Sequence, residues 1–187
     1  MIAADVFRDQ PVLVGKRLRL EPLTDAVFDG MWSMLQEPES RRLTGTHASF
    51  TADQVREWLT SRRDHHDRAD WAVLRIEDGE FLGEAVILDF DPANETAGYR
   101  VALAHPRLYG QGYGTEITRL VVDYALDKVG VYRLGLEVFD FNPRAIRVYE
   151  KCGFRVEGVK RDALLWDGER HDALLMSIRR GDPRTAN

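Results

Sequence analysis

The sequence predicts an α+β fold: a mixed, mostly antiparallel sheet of six to seven strands flanked by about four helices. Three observations carry that reading. Apolar patterning runs in the order β-αα-βββ-α-β-α-ββ, which keeps the early helices apart from the runs of strands. The pairs Asp78-Gly79 and Asp167-Gly168 each sit between extended apolar runs, the strongest short-range sign of a hairpin. Glycines 110, 112 and 114 follow a strand and open a helical pattern.

Taken in order, Val12–Leu20 alternates as a first strand and ends at Glu21-Pro22. Thr24 caps a short helix carrying Val27, Phe28, Met31, Trp32 and Leu35. A second helix begins at Thr51, where Gln54 completes a capping box, and buries Val55, Trp58 and Leu59. Trp71–Ile76 and Phe81–Asp89 pair around the first Asp-Gly turn. A third strand, Ala97–Ala104, follows the turn residues Asp91-Pro92-Ala93-Asn94, making three neighbouring antiparallel strands. The helix after the glycines buries Ile117, Leu120, Val121, Tyr124 and Ala125 and runs to about Lys128, where Gly130 stops it. Arg133–Val138 is the next strand. Asn142 then caps a helix with Pro143 at its first position and Gly153 at its end. Arg155–Trp166 and Arg170–Ile178 form the closing hairpin, and the residues after Gly181 read as a frayed tail.

A length of 187 residues suits one domain spanning 1–187. With 44% apolar and 30% charged residues the composition is that of a globular protein, and no apolar stretch approaches the roughly 18 residues of a membrane span. Met1 to Asp9 lacks a basic segment followed by an apolar one, so the expected location is the cytoplasm. A net charge of −5 argues against a nucleic-acid partner and favours cationic substrates. The single cysteine, Cys152, excludes an internal disulfide and reads as a packing residue. His65 and His66 lie in a charged helix end, so no metal is expected.

The run Tyr109-Gly110-Gln111-Gly112-Tyr113-Gly114-Thr115 is suited to an anion. A glycine-rich turn entering a helix points unpaired backbone N–H groups and the positive end of the helix dipole at one spot. It is not a Walker loop, since no Gly-Lys-Ser/Thr follows, and the acidic residue of a dinucleotide fold is misplaced, because Glu137 lies inside the next strand. By itself the run fits either a phosphate site or a plain tight turn.

A second constellation, Asn142-x-x-Ala145-x-x-x-Tyr149-x-x-x-Gly153-Phe154, lies one strand and one helix further on. With both motifs in place, the chain resembles the GNAT superfamily of N-acetyltransferases over about Val14 to Ile178. Leu136-Glu137-Val138, Tyr149-Glu150-Lys151 and the Trp166–Asp172 hairpin are most similar to the branch of ribosomal-protein-alanine and spermidine acetyltransferases. The resemblance implies a GNAT-type sheet splayed at an acetyl-CoA site, with acetyl-CoA as co-substrate. It implies a diphosphate on Gly110 to Thr115 and a pantetheine arm paired beside Ala102, Leu103 and Ala104. Asn142, Ala145 and Tyr149 would flank the same ligand. One position departs from the family pattern: the first motif residue, usually Arg or Gln, is Tyr109.

An amine must lose a proton before attacking a thioester, and a lysine-like amine at neutral pH lies about 3 units below its pKa, a cost of roughly 4–5 kcal/mol. By resemblance Glu137 is the base, with Glu84 on the facing hairpin as a second candidate. Strand alternation allows a plainer reading, a solvent-facing Glu137. Tyr149 is the implied acid for the leaving thiolate, against a purely packing role on its helix. A backbone N–H of Val101 to Ala104 would meet the developing oxyanion. The acceptor, a primary amine such as a polyamine or a peptide N-terminus, would enter near Trp32, Glu37, Glu39, Trp58 and Trp166. A homodimer through the closing hairpin belongs to the same expectation. Two readings from other classes are a catalytically silent acyl-CoA-binding regulatory module and a nucleotide-dependent oxidoreductase.

Overall fold

The amide of Gly15 donates to the Leu18 carbonyl at 2.8 Å, turning the first apolar run into a hairpin where a single strand over Val12–Leu20 was expected. A Cβ at Gly15 would lie 2.6 Å from a Glu116 carboxylate oxygen, so glycine lets this turn sit flat on a helix a hundred residues away. The structure, a computed structural model, describes residues 2–184. Its strands are β1 (Leu13–Val14), β2 (Leu18–Pro22), β3 (Ala69–Arg75), β4 (Phe81–Asp91), β5 (Thr96–Leu103), β6 (Arg133–Phe139), β7 (Arg155–Trp166) and β8 (Glu169–Arg179). Its α-helices are α1 (Phe28–Gln36), α2 (Pro38–Thr44), α3 (Ala52–Ser61), α4 (Tyr113–Asp123) and α5 (Pro143–Lys151).

Helix α2 is the element the apolar pattern conceals. Glu37 accepts from the Glu39 amide at 3.4 Å, Pro38 fills the first turn, and Gly45 ends the helix in the left-handed region. The capping box of Thr51 and Gln54 forms as expected. After Asp123 the chain winds through one π-helical segment, Tyr124–Val129, and stops at Gly130.

The eight strands lie in the order β1-β2-β3-β4-β5-β6-β8-β7. Every neighbouring pair is antiparallel except β5 and β6, which are parallel. Against one face, Ile117 and Val121 of α4 and Tyr149 and Cys152 at α5 pack on Trp71, Leu82, Ala85, Ile87 and Leu134. On the other face, Met31, Val55 and Leu59 of α1 and α3 cover Ala72 and Leu74. Burying each such large side chain contributes roughly 1.5–3 kcal/mol. The expected fraying after Gly181 is not what the described residues do. Asp182 pairs with Arg179 at 3.4 Å, and Arg184 reaches Asp123 at 2.9 Å and Asp127 at 2.8 Å. The last three residues of that predicted tail lie outside the described residues.

Gly83 sets how closely β4 approaches β5. Its φ is 149°, and a Cβ there would fall 2.0 Å from the Ala102 carbonyl oxygen. We expect Gly83→Ala to cost about 2–4 kcal/mol in urea unfolding, through backbone strain and displacement of β5; a midpoint unchanged from the parent would refute this account.

Candidate active site

β5 and β6 pair only where Thr96–Gly98 faces Arg133–Gly135. Beyond Gly98 they part. The Ala104 amide donates to the Leu82 carbonyl at 2.8 Å on the β4 side, and hydrogen-bonding groups alternate sides along a strand. Of the three residues expected to flank the pantetheine, Ala102 and Ala104 therefore turn their amides to β4. Val101 and Leu103 turn theirs to the gap. A cavity of about 510 Å³ occupies this gap, walled by Tyr99 to Leu103, the glycine turn, the end of β6 and one side of α5, with Ser40, Leu43 and Thr44 of α2 at its rim.

Gly110 and Gly112 take φ values of 73° and 84°, in the left-handed region where side chains are strained. Gly112 is the N-cap of α4 and has no side chain to satisfy the helix's first amides. None of the amides from Gly110 to Thr115 donates to an acceptor among the described residues. Nothing lies within 4 Å of a Cβ built at Gly110, so the turn is open on its cavity side. An array of unpaired N–H groups at a helix N-terminus suits a diphosphate, and acetyl-CoA fits this donor set and the long gap beside it.

The turn is pinned from a distance. Arg17 donates through Nη1 to the Gln111 carbonyl at 2.8 Å, and its backbone and Nε bind the two Glu116 carboxylate oxygens at 2.8 and 3.0 Å. Its guanidinium also lies 4.6 Å over the Tyr113 ring. Gln111 is thereby drawn away from the cavity, its own side chain donating to the Arg107 carbonyl at 2.6 Å. Sequence reasoning named Gln111 as a contact and missed Arg17, because nothing local ties residue 17 to residue 111. Ala104 is the other expected contact that does not line the cavity; the remaining cofactor-side candidates, Tyr109, Gly110, Gly112, Tyr113, Gly114, Thr115, Ala102, Leu103, Asn142, Ala145 and Tyr149, all do.

On α5 Tyr149 is 6% exposed, set among Tyr99 and Phe154 at ring distances of 6.3 and 5.8 Å. Its hydroxyl finds no hydrogen-bond partner among the described residues. Burial, with Cys152 beside it, pushes that hydroxyl well above the usual tyrosine range. Burial likewise pushes the Cys152 thiol up to about 11. Glu137 lines the cavity from β6 with its side chain 52% exposed, and Lys160 Nζ stands 3.4 Å from both its carboxylate oxygens. The Asn142 side chain accepts from the Ala145 amide at 3.2 Å and so shapes the start of α5. Arg144 and Arg147, which the motifs did not single out, line the cavity from the same helix.

Glu84 is elsewhere. It is sealed beneath the sheet's helical layer, 7% exposed, bound by Arg100 at 3.0 Å through one oxygen and unpartnered at the other. Trp32 and Trp58 pack on the core of α1 and α3, away from the cavity. Trp166 stacks on His47 at 4.9 Å, while Glu37 and Glu39 face His105 and Arg42 at 3.8 and 3.5 Å. None of these five expected acceptor walls lines the cavity. No group of three or more His, Cys, Asp or Glu suited to a metal occurs among the described residues, and no helix there is long and apolar enough to cross a membrane.

The family profile described as acetyltransferase (GNAT) domain matches residues 17–155. The chain is 25% identical over 162 residues to an uncharacterized N-acetyltransferase, YokL, of a Bacillus subtilis prophage, covering 86% of this chain and 87% of that one. It is 28% identical over 113 residues to spermidine N(1)-acetyltransferase of Escherichia coli, covering 60% of each chain. The solved spermidine N-acetyltransferase of Vibrio cholerae in complex with CoA and spermine has the same fold, with a TM-score of 0.80 at 18% identity over 89% of this chain and 97% of that one.

Burial holds the Glu84 carboxyl above its ordinary value of 4.5, with Arg100 only partly offsetting it. A carboxyl raised in the folded state adds stability that is complete below the unfolded value and is lost as pH rises through the folded one. Glu84→Gln should therefore gain on the parent in urea melts as pH rises from about 4 to 8; a parental advantage that grows over that interval contradicts the assignment.

Proposed function

The chain belongs to the acetyltransferase (GNAT) family and is an acetyl-CoA-dependent N-acetyltransferase, and on that premise we propose that it acetylates a cationic primary amine by direct attack, with Glu137 as general base and Tyr149 as general acid. One observation carries the reading: both side chains line the same cavity as the glycine turn with its unpaired amides. When bound, acetyl-CoA supplies an activated thioester. The rest is the chain's own work. Amides of Gly110 to Thr115 hold the diphosphate end, and the Val101 and Leu103 amides offer donors along the gap.

Glu137 is exposed enough to meet an incoming ammonium and takes its proton directly or through one water, offsetting the roughly 4–5 kcal/mol of amine deprotonation at neutral pH. Lys160 stands beside that carboxylate as its resting counter-ion. Tyr149 holds its proton until negative charge develops on the departing sulfur. Its raised pKa would hinder donation to a thiolate in water, but a thiolate formed among these apolar walls is destabilised in the same way, as the Cys152 thiol illustrates.

The net charge of −5 and the match to spermidine N(1)-acetyltransferase support a polyamine, or another amine of like charge such as a peptide N-terminus, as acceptor. A homodimer through β7 and β8 belongs to the same reading, since β7 is a sheet edge that leaves Val156, Val159 and Leu165 about half exposed; sedimentation as a monomer at micromolar concentration removes it.

Thiol release from acetyl-CoA against a panel of polyamines, small amines and peptides tests the whole. We expect Tyr149→Phe to lose about 10²-fold in kcat with its affinity for coenzyme A kept, and Glu137→Gln to lose at least tenfold in kcat/KM. Full turnover in Tyr149→Phe would leave that residue a packing role only.

A further inference from the structure

The turn from Tyr109 to Thr115 contains no lysine or arginine, so it offers dipoles to an anion but no full positive charge. Coenzyme A carries about four negative charges, a diphosphate and a phosphomonoester, and a chain of net charge −5 repels it unless local cations intervene. Those cations stand on α5, which borders both the turn and the cavity. Arg144, Arg147 and Lys151 line it together, at spacings of three and four residues that share one helix face.

Arg144 is held in place. Its guanidinium lies 4.4 Å over the centroid of the Tyr109 ring, and the Glu39 carboxylate is its resting counter-ion at 3.8 Å. The ring itself is half-buried. Stacking occupies the flat face of a guanidinium and leaves its in-plane N–H donors for a planar or tetrahedral anion. Tyr109 is the residue immediately before Gly110, so the stacked cation sits at the mouth of the amide array.

We infer that Tyr109 and Arg144 act as one phosphate-binding unit, in which the ring presents the guanidinium to the coenzyme A diphosphate beside the glycine turn. This rests on the acetyl-CoA reading above. Glu39 yields its partner when the diphosphate arrives, exchanging a loose exposed ion pair for charge-assisted hydrogen bonds.

Titration calorimetry at low salt, with coenzyme A and with dephospho-coenzyme A, tests it. Arg144→Ala and Arg144→Gln should each weaken both ligands about tenfold or more and to the same extent, since both ligands keep the diphosphate. Tyr109→Phe keeps the ring and should stay within about twofold of the parent. Tyr109→Ala should lose most of what Arg144→Ala loses, and the double variant should be no weaker than Arg144→Ala alone. Tyr109→Arg in the Arg144→Ala background should restore affinity by placing a cation on the turn itself. Arg144 variants within twofold of the parent, additive losses in the double variant, or a loss confined to the ligand bearing the 3′-phosphate each overturn the inference. Failure of the parent protein to bind either ligand would fell the acetyl-CoA reading as well.

Discussion

Everything at the site depends on β5 and β6 ceasing to pair after three residues. A sheet interior normally satisfies its backbone groups strand to strand, and leaving them unmet in a dry setting costs as much as a lost hydrogen bond. Here the parting strands keep Val101 and Leu103 without strand partners on one side, and the fold answers with a ligand-sized gap in place of a continuous ladder. An extended chain that lies along such an edge gains backbone hydrogen bonds at once, as an added strand does. The pantetheine arm of coenzyme A, with its two amides, is such a chain.

Around that gap the stable parts of the molecule do the positioning. The antiparallel β2 to β5 meander fixes one lip, and the β6-β8-β7 group fixes the other. The glycine turn is strained only where glycine relieves the strain, and Arg17 bolts it to the amino-terminal hairpin. Helix α2 reaches over from the far side, where the Ser40 hydroxyl donates to the Leu103 carbonyl at 3.1 Å. The acid and base candidates belong to different elements, α5 and β6, and are therefore adjustable independently.

Much of this was legible in the residues because it is local. The capping box at Thr51, Pro143 behind Asn142, the two Asp-Gly turns and the three glycines each announce a backbone geometry by their own chemistry, and each element they mark is present. What was illegible is what depends on distant partners. The strand expected over Val12–Leu20 breaks at Gly15 because Glu116 lies beneath it, and the segment after Gly181 is held by aspartates of the preceding α4 region. Trp32 and Trp58 suggested walls of an acceptor site through the resemblance, yet at helical spacing they serve the core. Glu84 was legible as a carboxylate on the facing hairpin but not as a buried one. Arg144 could have been found from its spacing to Arg147 and Lys151, had the missing charge on the turn been counted first.

Cys152 carries a practical corollary. It is the chain's sole sulfhydryl, 2% exposed, with its Sγ 3.7 Å from the Thr115 carbonyl and its ionisation suppressed by burial. Disulfide-exchange dyes react with thiolates they can touch, so the native polypeptide is silent toward them. Colour developing in such a solution counts coenzyme molecules released, and a slow rise without acceptor reports the polypeptide opening.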